Sequence, residues 1–383
     1  WDMSKPRKVV RGKRIYRGRS KRPGQILRGI LFALLLVVLI GIGYIVCREW
    51  VKYFGPGASQ PESSAGTQTS SLPESSEESE PEAAAAVRGV TVSYETAQMT
   101  GEELDSYLSQ LRAQGYTHVF VELKNEDGEV LFQTDAEQAV AFGSTDANAF
   151  DAAVFTAAAQ KAGLTPGAFI TALRDPLVSH VRNENSFAYA DQLGTNWLDS
   201  TPALGGKSWL NPYMENARTY IAELAGDAAQ KGFELIVLTD VNFPTRNTAH
   251  MNTIETEPSR NVILGQMLDE VQQAAGDVPV LNSIDLAQQL TLSENAPYVD
   301  MQEIGYSKNA PYISLSAIEE EQAALAQKFG TEADSTAIAR AMLENMAADS
   351  TLSETLMPVI PSADLETLLP VLTELSITDY IVL

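Results

Sequence analysis

From residue 88 onward, short apolar runs alternate with stretches in which apolar residues recur every three or four positions, the pattern of a parallel sheet with crossover helices. The runs predict strands at Arg88–Ser93, Thr117–Leu123, Leu164–Thr171, Glu234–Thr239, Val278–Asn282, Tyr298–Met301, Leu356–Ile360 and Tyr380–Leu383. Eight such strands predict an α/β fold of the (β/α)8, TIM-barrel type. An open doubly wound sheet is the alternative, because no helix follows the eighth run. The repeated Asn-Ala-Pro-Tyr at 295–298 and 309–312 is read as coincidence.

The clearest helix-to-strand step lies at residues 209–244. Asn211 suits an N-cap, Pro212 the first helical position, Lys231 the last turn and Gly232 a left-handed stop. Tyr213, Ala217, Ile221, Leu224 and Ala228 then share one face. The next run, Phe233 to Thr239, is almost wholly apolar, as a strand covered on both faces requires. Elsewhere Thr100 and Glu103 predict a capping box before the helix that Gly115 ends, and Ser362 opens another helix.

Before residue 88 the pattern changes. Residues 29–47 are nineteen in a row without a charge, spanning roughly 28 Å as a helix, close to a bilayer core. Residues 1–28 carry eleven Lys/Arg and one acid, Asp2, which the positive-inside rule reads as a cytoplasmic tail. A buried helix or a cleaved signal peptide are the alternatives. The basic region is long, however, and no small-residue cleavage site follows directly. Residues 48–87 are rich in Ser, Pro and Glu, which predicts a disordered extracellular linker. Residues 88–383 hold 42 acids against 14 bases. The expected organisation is therefore a cytoplasmic tail (1–28), a transmembrane anchor touching lipid (29–47), the linker (48–87) and an extracellular barrel domain (88–383). Nucleic acid is not an expected partner, since a basic tail beside an anchor serves orientation and anionic headgroups.

Ligands of such folds bind at the C-terminal strand ends. The polar residues placed there are Tyr94, Glu95, Glu122, Lys124, Asn125, Asp127, Arg174, Asp175, Thr239, Asp240, Asn242, Ser283, Asp285 and Glu303. Cys47 is the only cysteine, and His118, His180 and His250 are far apart, so neither a metal nor another cofactor is expected. No phosphate-cradling loop is present, and Gly205-Gly206-Lys207 reads as a flexible turn. Trp197, Trp209 and Tyr213 offer flat faces that fill cores or stack on sugars.

The runs Arg174-Asp-Pro-Leu177, Trp197-Leu-Asp199, Trp209-Leu-Asn-Pro-Tyr213, Gly232-Phe233 and Val241-Asn-Phe-Pro244 resemble the bacterial glycoside-hydrolase barrel domain family related to α-amylase-type barrels. Arg88-Gly-Val, Val119-Phe-Val-Glu-Leu-Lys124 and Asp127-Gly128 extend the likeness toward the start, so that it covers residues 88–244. The resemblance implies a (β/α)8 fold and cleavage of glycosidic bonds in a polysaccharide, with an acid at the fourth strand's end. There the chain departs from the family. Where the family reads apolar-Asp-Tyr-Val-Arg-Phe-Pro, this chain has Leu238-Thr239-Asp240-Val241-Asn242-Phe243-Pro244, with neither that acid nor that Arg. Side chains alternate along a strand, so with Thr239 in the mouth Asp240 faces the helices unless a bulge intervenes. After the fifth strand, Asn282-Ser283-Ile284-Asp285 also lacks a carboxylate right at the expected strand end.

Glycoside hydrolysis uses two carboxyl groups, roughly 5–5.5 Å apart for retention or roughly 6.5–9.5 Å for inversion. If the chain is active, Glu122 and Asp240 are the expected catalytic carboxyls. Lys124, Arg174, Asp175, Tyr213, Thr239 and Asn242 are then expected around the substrate, with Trp209 stacking on it. The expected partner is a polysaccharide or cell-wall glycan. The alternatives are a catalytically degenerate, glycan-binding or scaffolding barrel, and a domain that meets basic proteins through its acidic surface.

Overall fold

Burial of the apolar runs on both faces shapes the architecture. A computed structural model describes residues 86–245, 247–252, 258–291, 309–348 and 356–383. The expected tail 1–28, anchor 29–47 and all but the last two residues of the linker 48–87 lie outside them, as do Tyr298–Met301 and Glu303. Among the described residues, no helix is long and apolar enough to cross a membrane.

Twelve strands are described: β1 (Arg88–Val92), β2 (His118–Lys124), β3 (Val130–Phe132), β4 (Thr145–Phe150), β5 (Thr165–Thr171), β6 (Ala188–Tyr189), β7 (Gln192–Asn196), β8 (Leu235–Thr239), β9 (Val280–Asp285), β10 (Asn309–Tyr312), β11 (Val359–Ile360) and β12 (Tyr380–Val382). Eight of them pair in parallel in the order β1-β2-β5-β8-β9-β10-β11-β12, and β12 returns to β1 through Arg88↔Tyr380 and Gly89↔Ile381. That closure makes the fold an eight-stranded α/β barrel and excludes the open sheet.

The sixth barrel position is filled by β10, the second Asn-Ala-Pro-Tyr, whose Pro311 pairs in register with Ile284. This corrects the sequence expectation: proline has no N–H to donate to a ladder, so its presence argues against a central strand. β9 also runs to Asp285, three residues beyond its expected end.

Side chains fill the barrel. Phe120, Phe169, Leu235, Val237, Ala310, Val359 and Ile381 form its interior core, with the Phe120 and Phe169 rings 5.4 Å apart. The Phe120 ring needs glycine on both flanking strands, since a Cβ at Gly167 would lie 2.3 Å from it and one at Gly89 2.6 Å. Alternate strand residues face the helix layer, where Val119, Val121, Ile170, Ile236 and Leu238 meet Leu104, Leu108, Ile221 and Leu224 in one outer core. A second outer core centres on Ile338, Leu343, Ile360 and Leu372.

The helix after β5 spans Glu215–Gln230 and buries Ala217, Ile221, Leu224 and Ala228, with Gly232 at φ 96° behind it. It begins later than Asn211 predicts. The Asn211 carboxamide oxygen accepts from the Tyr213 amide at 3.1 Å and its carbonyl from Met214 at 2.9 Å, which makes a separate turn ahead of the helix. Thr100 stands at its N-cap position without a side-chain capping bond. Ser362 opens a single 3-10 turn, Ser362–Asp364, before the helix Leu365–Glu374.

Two additions crowd the C-terminal end of the barrel. β3 pairs antiparallel with the end of β2 and carries β4. Between β5 and the helix Glu215–Gln230 the chain makes a long excursion containing the β6–β7 hairpin. Isolated bridges Arg174↔Trp209, Ser186↔Leu210 and Leu198↔Ser208 fold this excursion back on itself.

Candidate active site

The mouth cavity has a volume of about 620 Å³ and is walled by the ends of β8, β9 and β10 and by the excursion after β5. Thr239 and Asp240 both line it, although adjacent strand residues should face opposite ways. The cause is local backbone: Asp240 has φ 53°. That left-handed conformation is uncommon for a residue other than glycine, though aspartate adopts it more readily than most. The β5–β8 ladder ends at Thr171↔Thr239. Beyond it the Asp240 carbonyl still accepts from the Leu173 amide at 3.3 Å. The turn comes immediately after the last ladder pair and brings the carboxyl onto the cavity wall. Thr239, at the position of the family acid, shares a 3.1 Å hydrogen bond between its hydroxyl and that of Thr171.

The Asp240 carboxyl is pushed up to about 6. Burial is the largest cause, and the nearby charges of Glu126 and Asp199 act in the same direction while Arg174 and Lys124 oppose it. A carboxyl in that range holds its proton in mildly acidic solution and can still release it near neutrality.

Beside Asp240 lies a chain of ion pairs. Arg174 bonds to Glu126 through one guanidinium nitrogen, and its Nε stands 3.2 Å from Asp199 Oδ2. Asp199 Oδ2 also accepts from Trp209 Nε1 at 3.0 Å, and Oδ1 from the Lys207 amide at 2.8 Å. Lys207 Nζ reaches Glu126 at 2.7 Å and Asp127 at 2.8 Å. Burial works against the Lys207 charge, but Asp127 and Glu126 outweigh it and hold the ammonium above its ordinary range.

Of the residues singled out from sequence, the fold gathers Arg174, Trp209, Thr239, Asp240 and Asn242 on this cavity, together with Ser283 and Asp285. Trp209 keeps only 6% of its surface exposed, so most of its ring is core and only an edge reaches the cavity. Asp285 closes β9 and accepts from the Gln288 amide at 3.0 Å. Its place at the strand end follows from the longer β9.

Other candidates stand elsewhere. Lys124 and Asp175 are both fully buried and pair at 3.0 Å. Lys124 Nζ also donates to the Thr171 carbonyl at 2.7 Å, and Asp175 Oδ1 accepts from the Val178 amide at 2.7 Å. The pair fastens the start of the excursion to the barrel wall, and neither residue lines the cavity. A β-bulge between Glu122 and Lys124 explains why Lys124 departs from the alternation. Tyr213 donates its hydroxyl to the Pro258 carbonyl and packs against Phe243, also away from the cavity. Glu122 is exposed by its surface area and is not among the residues lining the cavity, and the protein packed around its carboxyl, followed by the charge of Glu126, raises it. Tyr94 donates to Asp146 at 2.9 Å, Glu95 is exposed, and Asn125 accepts the Asp127 and Glu129 amides to form the turn after β2.

Sequence reasoning had not placed Glu126, Asp199, Lys207, Leu204, Gln288 or Tyr312 among the site residues. Asp199 was within reach, since it belongs to the Trp197-Leu-Asp199 run of the family likeness. Lys207 looked like part of a flexible turn, but its ion pairs make that turn an anchored one.

No curated protein matches this chain in sequence. Among solved structures, a hypothetical protein from Ruminiclostridium thermocellum is 17% identical, with a TM-score of 0.43 over 56% of this chain and 98% of its own. An alpha-amylase from Lactobacillus plantarum is 10% identical, with a TM-score of 0.48 over 78% of this chain and 70% of its own. An alpha-galactosidase from Thermus thermophilus is 13% identical, with a TM-score of 0.37 over 51% of this chain and 40% of its own. At such scores these likenesses add nothing to the barrel, which rests on its own strand pairing. Residues 89–314 match the family described as "Putative glycosyl hydrolase domain". With well over half of its length inside that match, the chain belongs to this glycosyl hydrolase domain family.

Proposed function

We propose that the barrel hydrolyses glycosidic bonds of a polysaccharide in its mouth cavity, with Asp240 as the proton-donating carboxyl. The observation that carries this reading is the left-handed turn at Asp240, which delivers a carboxyl pushed up to about 6 onto the cavity wall. Such a carboxyl suits protonation of a leaving oxygen. Asp285 is the second carboxyl. It ends β9, the neighbour of β8, and lines the same cavity as Asp240. Asp199, with both oxygens engaged, orients Arg174 and the edge of Trp209 toward the sugar. Reducing-end release from a panel of wall and capsular glycans tests the assignment. Asp240→Asn and Asp285→Asn should each lose it, and turnover that survives in both variants rejects it.

One observation favours a second reading, a barrel that binds glycan without cleaving it: the residue at the family's acid position is Thr239, which has no carboxyl and shares a hydrogen bond with Thr171. Measurable glycan affinity with no reducing-end release above a heat-killed control would select it.

The tail, apolar run and linker support a setting for either reading. The domain is held to the cell membrane by residues 29–47, with 1–28 inside and the barrel outside. Protease added to intact cells should then release the barrel by cutting within 48–87, and a barrel cleaved only after lysis contradicts the arrangement.

A further inference from the structure

The loop 199–207 forms one lip of the cavity and is unusually well fixed for a surface loop. Its ends are tied by the Asp199 amide to the Lys207 carbonyl at 3.0 Å and by the Lys207 amide to Asp199 Oδ1 at 2.8 Å. Within it, Leu204 and Gly206 both donate to the Thr201 carbonyl, at 2.9 and 3.0 Å. A Cβ at Gly206 would lie 2.1 Å from the Ser200 carbonyl oxygen, so the two sides are in contact. Lys207 then clamps the loop to Glu126 and Asp127 on the turn after β2.

At the tip of this braced loop stands Leu204, 77% exposed and the most exposed large hydrophobic residue among those described. It lines the same cavity as Asp240. Single exposed leucines on a protein surface need no explanation. A leucine held out at the tip of a loop tied at both ends, on the wall of the same cavity as Asp240, is a different case. Pyranose rings present apolar C–H faces with hydroxyls at their edges, and an aliphatic side chain covers such a face without competing for those hydroxyls.

We infer that Leu204 is a specificity-determining residue that packs on the C–H face of a neutral pyranose unit adjoining the one held at Asp240, so that the site selects oligomeric glycan over single-sugar glycosides. This rests on the hydrolase reading of the same cavity. Covering part of a leucine side chain supports about a tenfold gain in affinity.

The test uses the full chain and two neutral series of one to six units, α-1,4-linked glucose and β-1,4-linked N-acetylglucosamine. Affinity is measured in the Asp240→Asn background, and KM and kcat in the active protein. Binding should tighten about tenfold as the second unit is added, and Leu204→Ala should lose that gain, raising KM far more than it changes kcat, while Leu204→Phe restores it. An unchanged melting temperature shows that Leu204→Ala is folded. A wild-type dependence on chain length in Leu204→Ala overturns the inference and leaves the hydrolase reading standing. A wild-type protein that neither binds nor cleaves any member of either series overturns the inference, and the hydrolase reading falls with it only when the whole panel of wall and capsular glycans also gives no reducing-end release.

Discussion

Asp240→Asn should make the protein more stable at pH 8 while removing its activity. The carboxyl rises from the ordinary 3.8 to about 6. At about 1.4 kcal/mol per pH unit, keeping it ionised costs the folded state about 3 kcal/mol. The sign follows from proton binding: the folded protein holds this proton more tightly than the unfolded chain. The penalty is therefore absent below the unfolded value near 4, grows as pH climbs from about 4 to about 6, and is complete above that. Asparagine is neutral, has nearly the same shape and tolerates φ 53°, so the substitution removes the charge without straining the turn. Partial exposure to water reduces the gain, which leaves about 1–3 kcal/mol at pH 8 and close to nothing at pH 4. Urea denaturation of both proteins at the two pH values measures it. A gain of the same size at both values, or a loss at pH 8, would refute the reasoning.

Other consequences follow from packing and charge. Lys124→Met leaves Asp175 charged and unpaired in the interior and should cost about 3–5 kcal/mol in urea denaturation, whereas a loss below about 1 kcal/mol contradicts the buried pair. Gly167→Ala drives a methyl into the Phe120 ring and should cost about 1–3 kcal/mol, most of it recovered in combination with Phe120→Leu. A double variant no better than Gly167→Ala would point to a different contact. Asp199→Ala unpairs the Trp209 indole and removes one of the two carboxylates on Arg174, so it should shift tryptophan fluorescence and weaken glycan binding together, and an unaltered spectrum speaks against that network.

Much of the fold was readable in the sequence because a closed parallel sheet requires long apolar runs at regular intervals. Seven of the eight expected runs overlap barrel strands, and the end of the helix at Gly232 follows from its backbone freedom. The miss at β10 has an equally physical cause: Pro311 weakens the strand signal, and tertiary pairing with β9 and β11 overrides it. The site was less legible. Arg174, Trp209, Asp240 and Asn242 came from the family likeness and from the rule that strand ends bear ligands. The direction of Asp240 could not be inferred, because alternation holds only while the backbone stays extended and a single left-handed residue reverses it. Glu126, Asp199 and Lys207 were hidden for another reason. Their meeting depends on how the excursion after β5 folds over the turn after β2, and spacing along the chain does not encode that path.

The central claim, that Asp240 is the proton donor of a glycosidase, is tested most directly by the pH profile of glycan hydrolysis in wild type and Asp240→Asn. The account predicts a wild-type profile that falls on its alkaline side near pH 6, and a rate in the variant lower by about a hundredfold or more across the range. Hydrolysis by Asp240→Asn at the wild-type rate, with the same fall near pH 6, would contradict it.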